Sequence, residues 1–290
     1  MEPSSAGRAA RALELLHSVA YFAPEIPREL AAIGVDGPAA QYFGARSAPL
    51  GPVGPGVVTA TFYNFAPRLI ASAVPVVWEQ AGPAEITAAR LRGIDAVYRR
   101  VLGPEVVDSA EMGEAADLAA TSARAIPGPE GRPLYAAYAD LPWPEEAHLR
   151  LWHALTLLRE YRGDGHIAAL QTAGLSGLDA LITHTATGIG FAAEPARKLR
   201  GWSRDDWAAA EQGLRERGLL NKRGELTGEG FEVRELVEDL TDDLAAAPWR
   251  ALGDNGVERL LDLAVPWRDA VVDAGVFPAG LFGSRYGDAR

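Results

Sequence analysis

Along this chain apolar residues return every three or four positions in segment after segment, and strict alternation is almost absent. A three-to-four spacing lays apolar side chains along one face of an α-helix, and the abundance of Ala strengthens that preference. The pattern predicts helices over about 8–20, 26–34, 38–47, 55–65, 67–80, 84–102, 105–125, 145–162, 165–173, 176–187, 194–200, 203–217, 228–246 and 254–274. The expected fold class is mainly α.

One stretch has a different texture. Gly218-Leu219-Leu220, the turn Asn221-Lys222-Arg223-Gly224 and Glu225-Leu226-Thr227 predict a short β-hairpin near 219–227, after which Thr227 can cap a helix starting at Gly228. Helices, then a hairpin, then a long helix is the element order of a winged helix-turn-helix. The segment 203–217 takes the place of the recognition helix and 219–227 that of the wing. Leu30, Gly34, Gly37 and Ala40 return with the same spacing as Leu170, Gly174, Gly177 and Ala180. This spacing points to two winged-helix-like helical halves, the first without a wing; an internal duplication and a coincidence of Gly positions both account for it. Pro and Gly crowd 126–144. The expected organisation is an N-terminal helical domain (1–130, a degenerate winged helix), a linker (126–144) and a C-terminal winged helix-turn-helix domain (141–290), the halves packed together.

Composition narrows the function classes. The 290 residues carry 39 acidic against 28 basic side chains, a net charge of −11, with 48% hydrophobic residues: enough for a large core, and an acidic balance that disfavours DNA as a partner but leaves it open, since local charge can override the total. No uncharged apolar run is long enough to span a bilayer, so no membrane partner is expected. The start, Met1-Glu2-Pro3-Ser4-Ser5, lacks the basic and apolar regions of a secretory signal, which makes the cytoplasm the expected location. With no Cys, disulfides, thiolate metal sites and thiol catalysis are excluded. Neither a Gly-x-Gly-x-x-Gly run, a phosphate-binding loop nor a Gly-x-Ser-x-Gly elbow occurs, so nucleotide cofactors are not expected. No local metal signature is present either, although His17, His166 and His184 on separate helices leave a metal or haem open. The cofactor and the oligomeric state are therefore unassigned.

Two groups of residues could carry chemistry. The first is Arg159, Glu160, Arg162, Asp164 and His166, punctuated by Gly163 and Gly165. The glycines are expected to end a helix near Arg162 and set Asp164 as the cap of the next. On a structural reading the cluster caps and bridges. On a functional one His166 is a general acid or base oriented by Asp164 or Glu160, with Arg159 and Arg162 holding an anionic or carbonyl group. The catalytic candidates are thus His166, Asp164, Arg162 and Arg159. The second group is aromatic: Tyr21, Phe22, Tyr42, Phe43, Phe62, Tyr63 and Phe65, with Arg46 and Asn64 set among them. It fits a small-molecule pocket or an ordinary helical core, and Phe62-Tyr63-Asn64-Phe65 suggests a buried helix end between the halves. Its ligand-binding candidates are His17, Tyr21, Arg46, Phe62, Asn64 and His184. His17 also fits a buried hydrogen-bonded role, His184 a cation at a helix C-terminus, and His148 and His153 surface or packing positions.

Tyr42-Phe43-Gly44-Ala45-Arg46 through Val53, Phe62-Tyr63-Asn64-Phe65, Leu158-Arg159-Glu160-Tyr161-Arg162-Gly163-Asp164-Gly165-His166 and His184-Thr185-Ala186-Thr187-Gly188 together resemble a largely uncharacterised family of proteins of about this length from high-GC bacteria, labelled helix-turn-helix. The C-terminal half is similar in element order to MarR-type regulators. The resemblance implies a fold and a set of positions, and brings no reaction with it. The expected function is a small-molecule-binding protein, in a stronger form an enzyme of bacterial specialised metabolism using the His/Asp/Arg cluster in a pocket between the halves. The alternative is a MarR-like ligand-responsive transcription regulator. Against DNA stands the charge of 203–217, where Asp205, Asp206, Glu211 and Glu216 outnumber Arg204, Arg215 and Arg217.

Overall fold

Proline and hydroxyl side chains mark where the helices begin. In the computed structural model, which describes residues 1–285, Pro opens α1 (Pro3–Ser18), α3 (Pro38–Ser47), α4 (Pro55–Phe62), α5 (Pro67–Ala71), α7 (Pro83–Leu102), α8 (Pro104–Val107) and α10 (Pro133–Ala139). Its missing N–H costs nothing in a first turn, and its fixed φ suits the helix. Ser109, Ser176, Ser203 and Thr227 accept from first-turn amides of α9 (Ala110–Arg124), α12 (Gly177–Ala186), α14 (Arg204–Glu216) and α15 (Gly228–Asp273). The remaining helices are α2 (Glu25–Ala31), α6 (Val77–Gln80), α11 (Ala147–Thr172) and α13 (Ala193–Leu199). The protein is mainly helical. Helix α15 is two pieces meeting at Gly253, whose φ of 76° breaks the helical geometry, close to the break predicted between 246 and 254.

Two apolar clusters organise these helices. The larger takes Leu13 and Leu16 of α1, Ile86 to Tyr98 of α7, Met112 to Ala123 of α9, Leu149 to Tyr161 of α11, and α15 from Ala246 onward. The smaller takes Ala169 and Leu170 of α11, Leu178 to Ile182 of α12, Trp207 and Leu214 of α14, Leu219, Leu220, Leu226 and Val237. Helices α11 and α15 run through both, and the larger cluster draws residues from either side of 126–144. At 26 residues, α11 is about 39 Å long. It is the spine on which the candidate site is built.

Two local expectations come out differently in the structure. Gly163 and Gly165 do not end a helix, since α11 continues unbroken to Thr172. Interior glycines cost about 1 kcal/mol each, and the burial of Leu151, Leu155, Leu158 and Tyr161 on the same helix outweighs that. Gly165 also has a packing reason: a Cβ there would overlap the Arg132 guanidinium, which donates to the Tyr161 and Leu244 carbonyls. The expected hairpin at 219–227 is a tight turn with a single antiparallel bridge, Leu220 to Leu226. It is closed by the Asn221 N–H on the Glu225 carbonyl (2.8 Å) and the Thr227 N–H on that of Leu219 (3.1 Å). Its arms are too short to make a ladder.

The repeated Leu–Gly spacing marks how helices end. The Val35 N–H donates to Leu30 O and the Leu175 N–H to Leu170 O, both at 3.0 Å, past Gly34 (φ 87°) and Gly174 (φ 66°). The same closure recurs outside the repeat, from Leu219 N–H to Leu214 O (2.9 Å) and from Trp202 N–H to Arg197 O (3.1 Å). The spacing therefore records a helix-terminating motif and does not by itself carry a duplication.

Candidate functional site

Two adjoining cavities lie along α11, of about 390 Å³ and 910 Å³, sharing walls at Glu14, Arg159, Gly163, His166 and His184. All ten residues singled out from the sequence face one or both. Arg159, His166 and His184 line both; His17 and Arg162 line the smaller; Tyr21, Arg46, Phe62, Asn64 and Asp164 line the larger. The aromatic run at the end of α4 is pinned into this wall. Tyr63 takes φ 33° there, held by its O–H on the Leu175 carbonyl (2.6 Å), while Trp202 Nε1–H reaches the Asn64 carbonyl (2.9 Å). Gly177, one residue of the sequence repeat, is required by this contact, because a Cβ would overlap the Tyr63 carbonyl.

At the centre is Glu160, 2% exposed. Its carboxylate accepts two bonds from Arg46 Nη2 (3.0 and 3.2 Å) and one from Arg159 Nη1 (3.0 Å); Arg159 Nε also binds both oxygens of Glu14 (3.0 and 3.1 Å). Burial alone would raise the Glu160 carboxyl, but Arg46, Arg159 and Arg90 bring it below its ordinary value. Arg46 lies 4.4 Å from the Phe62 ring centre and 5.3 Å from that of Tyr21, so an aromatic sleeve covers the guanidinium. Burial pushes the Tyr21 phenol up to about 12, and its hydroxyl is enclosed with no hydrogen-bond partner, as is Arg46 Nε.

The expected His/Asp unit is not assembled. The Asp164 carboxylate accepts from the Leu134 and Tyr135 amides (3.0 and 2.9 Å), so it caps α10 from across the fold instead of the helix after Gly163. Burial raises its pKa to about 6. His166 Nδ1 pairs with Thr241 Oγ1 at 2.8 Å, and neither Asp164 nor Glu160 orients the ring. Burial lowers His166 to about 3 and His184 to about 4, so both are neutral near pH 7; the reading of His184 as a helix-end cation is replaced by that of a half-buried neutral ring. Arg162 is occupied by Asp242 (2.8 Å) and Glu238 (3.4 Å). His17 is buried, with Nε2 on Thr156 Oγ1 (3.0 Å) and its ring stacked on Trp152 at 5.2 Å. His148 and His153 are buried packing residues, against Asp95 and Trp143. Among the described residues no group of three or more His, Asp or Glu is arranged to hold a metal ion.

Part of the site was invisible in the sequence. Arg200, at the end of α13, packs its guanidinium over Phe65 (4.4 Å) and Phe191 (5.3 Å). The segment after α15 returns across the mouth: Gly283 N–H donates to Gly190 O (2.7 Å) and Ala192 N–H to Leu281 O (3.0 Å), which brings Phe277 and Phe282 onto the wall beside Phe22 and Phe191. Arg200 has the sequence signature of an ordinary C-terminal cation, and nothing local connects Phe277 or Phe282 to residues so far away.

The surface of α14 is not basic. Its Arg215 pairs with Glu211 (3.5 Å), Arg217 with Asp179 (3.4 Å) and Arg223 in the following turn with Glu225 (2.9 Å). Among the described residues no helix is long and apolar enough to cross a membrane. No curated protein matches the chain, and no solved structure does. A family model described as a helix-turn-helix family does match, over residues 6–278, and the chain belongs to that helix-turn-helix family.

Proposed function

We propose that the protein binds a small, largely apolar organic molecule in the 910 Å³ cavity. The observation that carries this reading is a large space walled by aromatic rings with a few polar side chains, Tyr21, Arg46, Asn64 and Arg200, set among them. A mostly apolar wall with a small number of polar groups is the usual make-up of a small-molecule site, the apolar part supplying burial and the polar groups fixing orientation. His166 proton transfer, the enzymatic form of this reading, draws on the ring facing both cavities; its partner is Thr241, and Arg159 and Arg162 already hold carboxylates. Binding is therefore the function we put first. The test is titration with phenylnaphthylamine, an uncharged fluorescent probe, against wild type and Ala39→Trp, which fills the cavity from α3. Saturable binding weakened about tenfold or more by Ala39→Trp supports the reading. No saturable binding overturns it.

A second reading is favoured by the family itself. Helix-turn-helix membership fits a ligand-responsive transcription regulator of MarR-like element order, with α14 as recognition helix and the 219–227 turn as a reduced wing. The acidic residues of α14, Asp205, Asp206, Glu211 and Glu216, outnumber its arginines and argue for weak affinity, because phosphate contacts need an excess of positive charge. A mobility shift on the DNA upstream of the gene, falling steeply with added salt, would establish this reading, and no shift at low salt would remove it.

A further inference from the structure

We propose that the molecule taken by the large cavity is an organic anion: a carboxylate or sulfonate carried on an apolar, ring-containing body, with the acid group held by Arg200. This assignment rests on the reading of that cavity as a ligand site.

The argument is one of charge matching. Among the described residues, each of the other guanidiniums on the two cavity walls has a carboxylate: Arg46 has Glu160, Arg159 has Glu14 and Glu160, Arg162 and Arg11 have Asp242, and Arg268 has Asp269. Arg200 has none. Its side chain makes no ion pair or hydrogen bond there, its Nε is enclosed, and it meets only the faces of Phe65 and Phe191. Ring faces attract a cation but do not neutralise it. A guanidinium half withdrawn from water without a counter-charge is unfavourable, and water in the cavity could satisfy its hydrogen bonds but not its charge.

The groups around it report the same excess. Burial, together with Arg46 and Arg159, weakens the hold of Arg200 on its proton. Tyr42, whose phenol burial alone would raise, is brought below its ordinary value by Arg46 and Arg200. A chain with a net charge of −11 has thus left one guanidinium on this cavity wall without a counter-charge among the described residues. Phe65 and Phe191 stand over Arg200, and Phe22, Phe277 and Phe282 continue that wall from Phe191. They offer an inorganic anion nothing, whereas the body of an aromatic or alicyclic acid would bury against them.

Two probes of one ring system separate charge from shape: anilinonaphthalene sulfonate, and phenylnaphthylamine without the sulfonate. Both are expected to bind wild type and to compete. Arg200→Met is expected to weaken the sulfonate about 10- to 100-fold and the uncharged probe less than about twofold, with Arg200→Lys recovering part of the loss. Should Arg200→Met fail to fold, Arg200→Gln makes the same comparison. If both probes bind and the Arg200 variants affect them equally, the anion assignment is overturned while the ligand site stands; the same holds if only the uncharged probe binds. If neither probe binds saturably, the reading beneath it falls as well.

Discussion

Glu160→Gln removes one negative charge and almost no volume from the middle of the cavity wall. The glutamine oxygen can still accept from Arg46, so what is lost is the charge that two guanidiniums share. Breaking a buried ion pair from one side costs about 3–5 kcal/mol. Arg159 keeps its bonds to Glu14, and the cavity admits water, so the lower part of that range is expected, about 3 kcal/mol. In a chain this long that corresponds to a fall in Tm of about 5 °C. The sign with pH follows from the lowered Glu160 pKa. The stabilisation is complete above the ordinary carboxylate value of 4.5 and is lost as pH falls below it, so the gap between wild type and variant narrows in acid. Urea unfolding of wild type, Glu160→Gln, Arg46→Met and the double variant gives the coupling directly, expected at about 1.5–3 kcal/mol. A Glu160→Gln loss below about 1 kcal/mol, or additive single changes, would refute the view of this network as an electrostatic unit.

Asp164→Ala strips the acceptor from the Leu134 and Tyr135 amides and is expected to cost about 1–2 kcal/mol in urea unfolding, with Asp164→Asn costing less. Because burial raises Asp164 to about 6 from 3.8, wild type should lose stability relative to Asp164→Asn as pH rises from 4 to 6; a constant difference would contradict the burial argument. The half-buried His166 and His184 act in the opposite sense. Their folded-state values, about 3 for His166 and about 4 for His184, lie below the ordinary 6.5, so the stability they contribute is present above pH 6.5 and lost as pH falls toward 4. Paired Gln substitutions at both should flatten the loss between pH 7 and 5, by up to about 2 kcal/mol per histidine, in unfolding curves at the two pH values. Gly177→Ala should cost about 1–3 kcal/mol by driving a methyl group into the Tyr63 carbonyl, and a melting temperature equal to wild type would place that contact elsewhere.

Much of the fold was legible because local chemistry agrees with packing. Pro at helix starts, Ser176 and Ser203 as caps and the three-to-four apolar spacing fix most helices, including the interruption near Gly253. The failures have a common cause, which is tertiary structure overriding a local signal. Gly163 and Gly165 look like a helix end, but apolar burial on both sides of them keeps α11 whole and leaves Asp164 facing α10. Residues that line the cavities were legible where chemistry is concentrated in sequence, as at Arg159 to His166 and Phe62 to Phe65. They were missed where only the fold supplies the company, as at Arg200, which becomes unusual once Phe65 and Phe191 cover it and no carboxylate does. The pairing of His166 with Thr241 was hidden for the same reason, since the two lie on different helices far apart in the chain.

The most direct test of the ligand site is the anomalous scattering of bromine from crystals soaked in bromonaphthalene. The account predicts one dominant bromine peak inside the walls formed by Tyr21, Phe62, Phe65 and Phe191. Peaks confined to exposed apolar positions such as Phe231 and Leu236 on α15, with that cavity empty, would contradict it.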